Sequence, residues 1–130
     1  MSRKVEVVGP DQADDGLRER MRVAGIHHLV VVYRGELLGV VSSRDLERNQ
    51  GSVTVAELMS RDPICGEPRT TVRQAANRMR GNSVGCLPVV EDGEVVGVVT
   101  VSDLLEMVGR GVEKGRRRVL SRRGPRRRFA

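Results

Sequence analysis

Apolar and polar positions along this chain follow two regimes, and the same order of regimes occurs twice. Nearly continuous apolar runs at residues 28–33 and 36–41, and again at 86–91 and 94–99, are each split by two residues, Arg34-Gly35 and Asp92-Gly93. This predicts two β-hairpins with two-residue turns, Asp-Gly being the stronger turn signal. Strands apolar at almost every position are usually covered on both faces. Ahead of each hairpin the period changes to that of a helix. Val72, Ala75, Ala76 and Met79 share one face, and Thr71-Val72-Arg73-Gln74 has the form of a capping box. Gly25 and Gly81 stand where the two helices should stop. Short strands are expected before the helices, at Lys4 to Val8 and Pro63 to Cys65, and closing helices near residues 43–49 and 101–109. Thr54-Val55-Ala56-Glu57 is a second capping-box candidate and predicts a linking helix from Val55 to Ser60. Arg61-Asp62-Pro63 should end it, because a residue before proline avoids the helical region.

The two halves are an internal repeat. Residues 20–46 align with 78–104 without a gap at an offset of 58, and thirteen of these 27 positions are identical. The matches include Arg20-Met21-Arg22 with Arg78-Met79-Arg80, Gly35-Glu36 with Gly93-Glu94, and Asp45-Leu46 with Asp103-Leu104. A shared taste for valine does not reproduce such positions, whereas duplication does. The expected fold is therefore α/β, with two β-α-β-β-α repeats packed sheet to sheet, because neither half alone could bury its hairpin. The predicted limits are 1–50 for the first repeat, 51–109 for the second with its linking helix, and 110–130 for a tail.

Each hairpin runs into the same phrase, Gly39-Val40-Val41-Ser42-Ser43-Arg44-Asp45 and Gly97-Val98-Val99-Thr100-Val101-Ser102-Asp103. A hydroxyl stands at the strand-to-helix junction and a carboxylate three residues later. Helix capping explains both: Ser and Thr are good N-caps, and an acid in the first turn suits the helix dipole. The same geometry also suits a ligand. Free amides and a hydroxyl at a helix start attract phosphate, and a carboxylate beside them can accept from ribose hydroxyls.

The repeat with this phrase resembles the CBS domain over roughly residues 4–109, most closely from Val55-Ala56-Glu57-Leu58-Met59 through Thr70-Thr71-Val72 and Leu87-Pro88-Val89-Val90 to Leu104. Paired CBS repeats form a Bateman module, whose clefts bind adenosine-containing ligands such as AMP, ADP, ATP or S-adenosylmethionine. The resemblance implies that Asp45 and Asp103 hold ribose and that Ser42 and Thr100 contact ribose or phosphate. It implies that Ile64, Leu87 and Pro88 enclose the adenine of the second site, with Arg44 and Ser102 at matching places inside the two motifs. Arg44, Arg61 and Arg80 are the candidate phosphate cations. The resemblance implies that no cofactor is required and that the nucleotide is a regulatory ligand.

Charge divides the chain differently. Residues 110–130 hold ten Lys or Arg against one Glu, a charge of +9, while residues 1–109 hold thirteen basic and sixteen acidic side chains, a charge of −3. Such asymmetry predicts a separate basic tail, either a solvated, disordered extension or an arm that attracts nucleic acid or another polyanion. With one Tyr, one Phe and no Trp, the chain lacks the aromatic platforms of base-stacking RNA and single-strand binders. Cys65 and Cys86 lie far apart with no CxxC pair, which argues against a metal site. His27 and His28 are neighbours in a strand, so their rings diverge and read as structural. No catalytic constellation appears, and the chain is expected not to be an enzyme. No leader pattern is seen, and no apolar run nears the ~20 residues of a membrane span. A cytoplasmic homodimer that regulates a separate protein follows as the expectation. Its rivals are a nucleic-acid binder whose body only dimerises the arginine tail, and a ligand-free dimerisation scaffold.

Overall fold

The computed structural model of the chain describes residues 5–48, 53–110 and 126–128. The described residues divide into two compact units, one built on Glu6–Pro63 and the other beginning at Ile64.

The first unit runs β1 (Val5–Val8), α1 (Leu17–Ala24), β2 (His28–Tyr33), β3 (Glu36–Ser42), α2 (Ser43–Arg48), α3 (Val55–Leu58) and β4 (Ser60–Arg61). Its sheet has the order β4-β3-β2-β1, and a further strand, β7 (Arg126–Arg128), lies next to β1. β1 runs parallel to β2 with Val7 opposite Val30 and Val8 opposite Val31. Val8, Leu17, Met21, Leu29, Val31, Val41, Leu46, Val55 and Met59 form one core. Each such side chain, fully buried, stabilises by roughly 1.5–3 kcal/mol.

The second unit repeats the plan with α4 (Val72–Gly81), β5 (Cys86–Glu91), β6 (Glu94–Thr100) and α5 (Val101–Gly109) around Val72, Ala75, Met79, Leu87, Val89, Val96 and Val99. The strand expected at Pro63 to Cys65 does not form. Pro63 has no amide to give to a ladder, and pairing is limited to an isolated parallel bridge between Gly66 and Val89. That bridge keeps the register of the first unit, because Gly66 and Val89 lie 58 residues beyond Val8 and Val31.

Both hairpins match the apolar runs, and both turns are of the primed kind. Arg34 and Gly35 have φ of 51° and 82°, and Asp92 and Gly93 have 52° and 80°. With φ positive at both central residues, the turn follows the twist of the strands it joins. α4 carries its capping box, with Thr71 Oγ1 accepting from the Gln74 amide and Gln74 Oε1 from the Thr71 amide. The helix ends differ from expectation in one respect. Gly25, at φ 71°, is left-handed after α1, and Ile26 N–H donates to Met21 O. In the second unit the equivalent position is Ser83, at φ 53°, and Val84 N–H donates to Met79 O. Gly81 is instead the last helical residue.

The linking segment departs further. α3 is a single turn ending at Leu58, and Thr54 makes no side-chain cap bond. The first amides of the turn have other acceptors: Val55 N–H donates to Gln12 O at 2.8 Å, and the two a cap would serve, Ala56 and Glu57, donate to Pro10 O at 2.9 Å and to Thr54 O at 3.1 Å. Val55 and Met59 are buried in the first core, so the segment packs with the first repeat although it leads into the second. In the packing the two units divide after Pro63. Among the described residues no helix is long and apolar enough to cross a membrane. The tail expectation lies outside the described residues except at β7, which is a strand.

Candidate functional site

The two strand-to-helix junctions are built alike. At the first, Ser42 N–H donates to Asp45 Oδ2 at 2.8 Å while Asp45 N–H donates to Ser42 Oγ at 3.1 Å. At the second, Thr100 N–H donates to Asp103 Oδ2 at 2.8 Å while Asp103 N–H donates to Thr100 Oγ1 at 3.2 Å. Both are reciprocal capping boxes with Asp in the third helical position. The bonds fix the carboxylate against the start of the helix at a half-buried place. They do not exhaust it, since an ionised carboxylate offers about four acceptor sites. Such an oxygen acceptor beside a hydroxyl can also take hydrogen bonds from a diol.

The neighbours of the two motifs differ. His28 is the cross-strand partner of Ser42, and Cys86 that of Thr100. Cross-strand partners lie on the same face, so the imidazole stands beside the first motif and the thiol beside the second. Burial holds His28 below the ordinary histidine range and His27 pushes the same way, while the Asp45 carboxylate pulls it up. Burial pushes the Cys86 thiol up to about 12, with the Asp103 charge and Cys65 adding to the effect. Sequence reasoning passed over this placement. Counting back from the two-residue turns pairs each of these residues one position too early. A bulge between Val31 and Val32, matched between Val89 and Val90, shifts the register by one.

The remaining expected site residues fall in three groups. Ile64 is 36% exposed and precedes the bridge to β5. Pro88 is buried in β5 and accepts from Gly66 N–H through its carbonyl at 2.8 Å. Leu87 is 0% exposed and belongs to the core with Val72, Ala75 and Met79. Successive strand residues point to opposite faces, so the side chains of Leu87 and Pro88 lie on opposite faces of β5. Arg44 and Ser102 are exposed, as are Arg61 and Arg80, the last donating to Asn77 Oδ1 at 3.3 Å. Among the described residues no three metal-ligating side chains cluster.

Comparison with known proteins agrees with this architecture. The family model for the CBS domain matches residues 1–51 and 55–110. The chain belongs to the CBS domain family. It is 27% identical over 110 residues to the CBS domain-containing protein YhcV of Bacillus subtilis, covering 80% of this chain and 79% of that one. It is 36% identical over 104 residues to an inosine-5'-monophosphate dehydrogenase of Korarchaeum cryptofilum, covering 78% of this chain and only 22% of the enzyme. Among solved structures it resembles the CBS domain pair of protein MJ0100 in complex with 5'-methylthioadenosine and S-adenosyl-L-methionine. The TM-score there is 0.77 at 25% identity, over 84% of this chain and 91% of that one. It also resembles CBSX2 in complex with AMP, with a TM-score of 0.71 at 25% identity over 82% and 88% of the two chains.

Proposed function

We propose that this chain is a regulatory module that senses an adenosine-containing ligand and carries no catalysis of its own. The observation that carries the reading is the duplicated junction in which Asp45 and Asp103 stand fixed beside Ser42 and Thr100. Solved CBS domain pairs of the same fold carry AMP, or 5'-methylthioadenosine with S-adenosylmethionine. In this reading the aspartates accept from the ribose hydroxyls and the junction hydroxyls face ribose or phosphate. Ile64 and Pro88 flank the base at the second motif. The output passes to a separate protein, and the module works as a homodimer. α5 supports the dimer: it buries no side chain, and Val101, Leu105 and Val108, exposed at 48%, 66% and 69%, repeat at helical spacing on one stripe.

A thermal-shift panel of AMP, ADP, ATP, S-adenosylmethionine, NAD and cyclic dinucleotides tests the proposal. A ligand present at about 100 times its Kd stabilises by about 2.7 kcal/mol, which moves the melting temperature by several degrees. A flat response across the panel would leave the scaffold reading in its place.

A further inference from the structure

The loop that carries Ile64 is latched down in the second unit by contacts outside the motif. Thr70 is 3% exposed and is the one buried polar side chain among the described residues. Its Oγ1 accepts from the Glu67 amide at 2.9 Å and from the Arg78 guanidinium at 3.4 Å. Arg78, in the last turn of α4, also donates to the Cys65 carbonyl at 3.1 Å. Between these anchors Gly66 exchanges bonds with β5: its amide donates to Pro88 O at 2.8 Å, and its carbonyl accepts from Val90 at 2.9 Å. A Cβ at Gly66 would lie 3.1 Å from Leu87 Cδ2 and 3.5 Å from Thr70 Oγ1, so the loop is pressed onto both the strand and the latch.

The first unit makes the same turn without the latch hydroxyl. Gln12 N–H donates to Gly9 O at 3.3 Å, as Thr70 N–H donates to Glu67 O at 2.9 Å, and Arg20 stands at the place of Arg78. A glutamine has no hydroxyl next to its Cβ, so the bond that Thr70 Oγ1 accepts from the Glu67 amide has no counterpart of its kind there.

We propose that Arg78 is a positioning residue for the second motif: through the Cys65 carbonyl and the Thr70 hydroxyl it fixes the loop that presents Ile64 before any ligand arrives. The inference rests on the adenosine reading of that motif. Holding a binding loop in its bound form raises affinity by removing the ordering cost from the binding step. Both bonds come from Nη1, so one terminal nitrogen of the guanidinium ties the Cys65 carbonyl to the Thr70 hydroxyl.

Three single variants of the full chain test it, Arg78→Met, Arg78→Lys and Thr70→Val, with Asp103→Asn as the control for the motif itself. Backbone amide exchange in the ligand-free protein reads the latch, and calorimetry with AMP reads the consequence. Arg78→Met should speed exchange at Gly66 and Val90 and weaken AMP about five- to tenfold, through reduced preorganisation. Thr70→Val should do the same, while Arg78→Lys recovers part of both. Unchanged exchange at Gly66 in both Arg78→Met and Thr70→Val would overturn the latch. Faster exchange with wild-type AMP affinity, in the face of a loss in Asp103→Asn, would overturn the positioning role while leaving the site. If wild-type protein binds no AMP and no other adenosine compound, the reading of the motif fails and the positioning role with it.

Discussion

Asp45 and Asp103 hold the amides of the capping residues Ser42 and Thr100 and, in the proposed function, the hydroxyls of a ribose, so at each position a structural and a binding role share one side chain. Thr100→Ala should cost ~1 kcal/mol of stability through the missing cap whether or not a ligand exists, measurable by urea unfolding. The groups opposite the hydroxyls give pH signatures of opposite sense. His28 is depressed below its ordinary 6.5, so the unfolded chain takes up its proton more readily than the folded one. Stability is therefore full above 6.5 and is lost as pH falls through the folded value. His28→Gln should flatten the acid side of a melting-temperature profile, and an unaltered profile would contradict the assigned burial. Cys86 is raised from 9.0 to about 12, so its contribution is present below 9.0 and disappears as pH climbs toward 12. At neutral pH a thiol reagent should label the half-buried Cys65 first and reach Cys86 only on unfolding, since the thiolate is the reactive form. The junction hydroxyls and acids were legible in the sequence because capping and diol binding call for the same residue types. The partners His28 and Cys86 were not, because a one-residue bulge decides what faces Ser42 and Thr100.

Elements differ in how far local sequence determined them. The hairpins were readable to within a residue, because a two-residue turn with positive φ at both positions has few sequences and one register at its tip. Capping boxes were less dependable. Thr71 and Thr54 head the same pattern, yet only Thr71 caps its helix; at α3 the amides a cap would serve, Ala56 and Glu57, are held by the carbonyls of Pro10 and Thr54. Thr71→Ala should accordingly lose ~1 kcal/mol and Thr54→Ala a small fraction of that, compared by urea unfolding. Equal losses would mean that the carbonyls of Pro10 and Thr54 do not replace the cap. Gly39 is the place where β3 and β4 approach most tightly. A Cβ there would sit 2.4 Å from the Ser60 carbonyl and 3.0 Å from Met59 Sδ. Gly39→Ala should therefore push β4 off β3 at a cost of ~1–3 kcal/mol, visible as faster amide exchange at the residues paired between these strands.

At the scale of the molecule, duplication was the most legible property, because an offset of 58 residues recurs in the strand register, the turns, the helix ends and the motifs alike. The allegiance of the linking segment was hidden, since Val55 and Met59 are apolar residues that either core would accept. The exposed stripe on α5 predicts a dimer: light scattering should give twice the mass of one chain, and Leu105→Glu should restore the monomer. The basic tail gives a separate expectation. Replacing Arg116, Arg117, Arg118, Arg122 and Arg123 with Gln keeps β7 and should lower the salt slope of any DNA binding by as much as about 4.5, at about 0.9 for each phosphate no longer neutralised. The most direct test of the central claim is calorimetry of AMP, or of whichever adenosine compound stabilises the protein, against wild type, Asp45→Asn and Asp103→Asn. Loss of a charge-assisted acceptor for two ribose hydroxyls should weaken binding by roughly 1.5–3 kcal/mol, about 10- to 150-fold, in at least one variant. The folded state should lose no more than the ~0.3–1 kcal/mol of a helix-dipole interaction. If both variants bind the ligand as wild type does, Asp45 and Asp103 are helix caps alone and the ligand sits elsewhere.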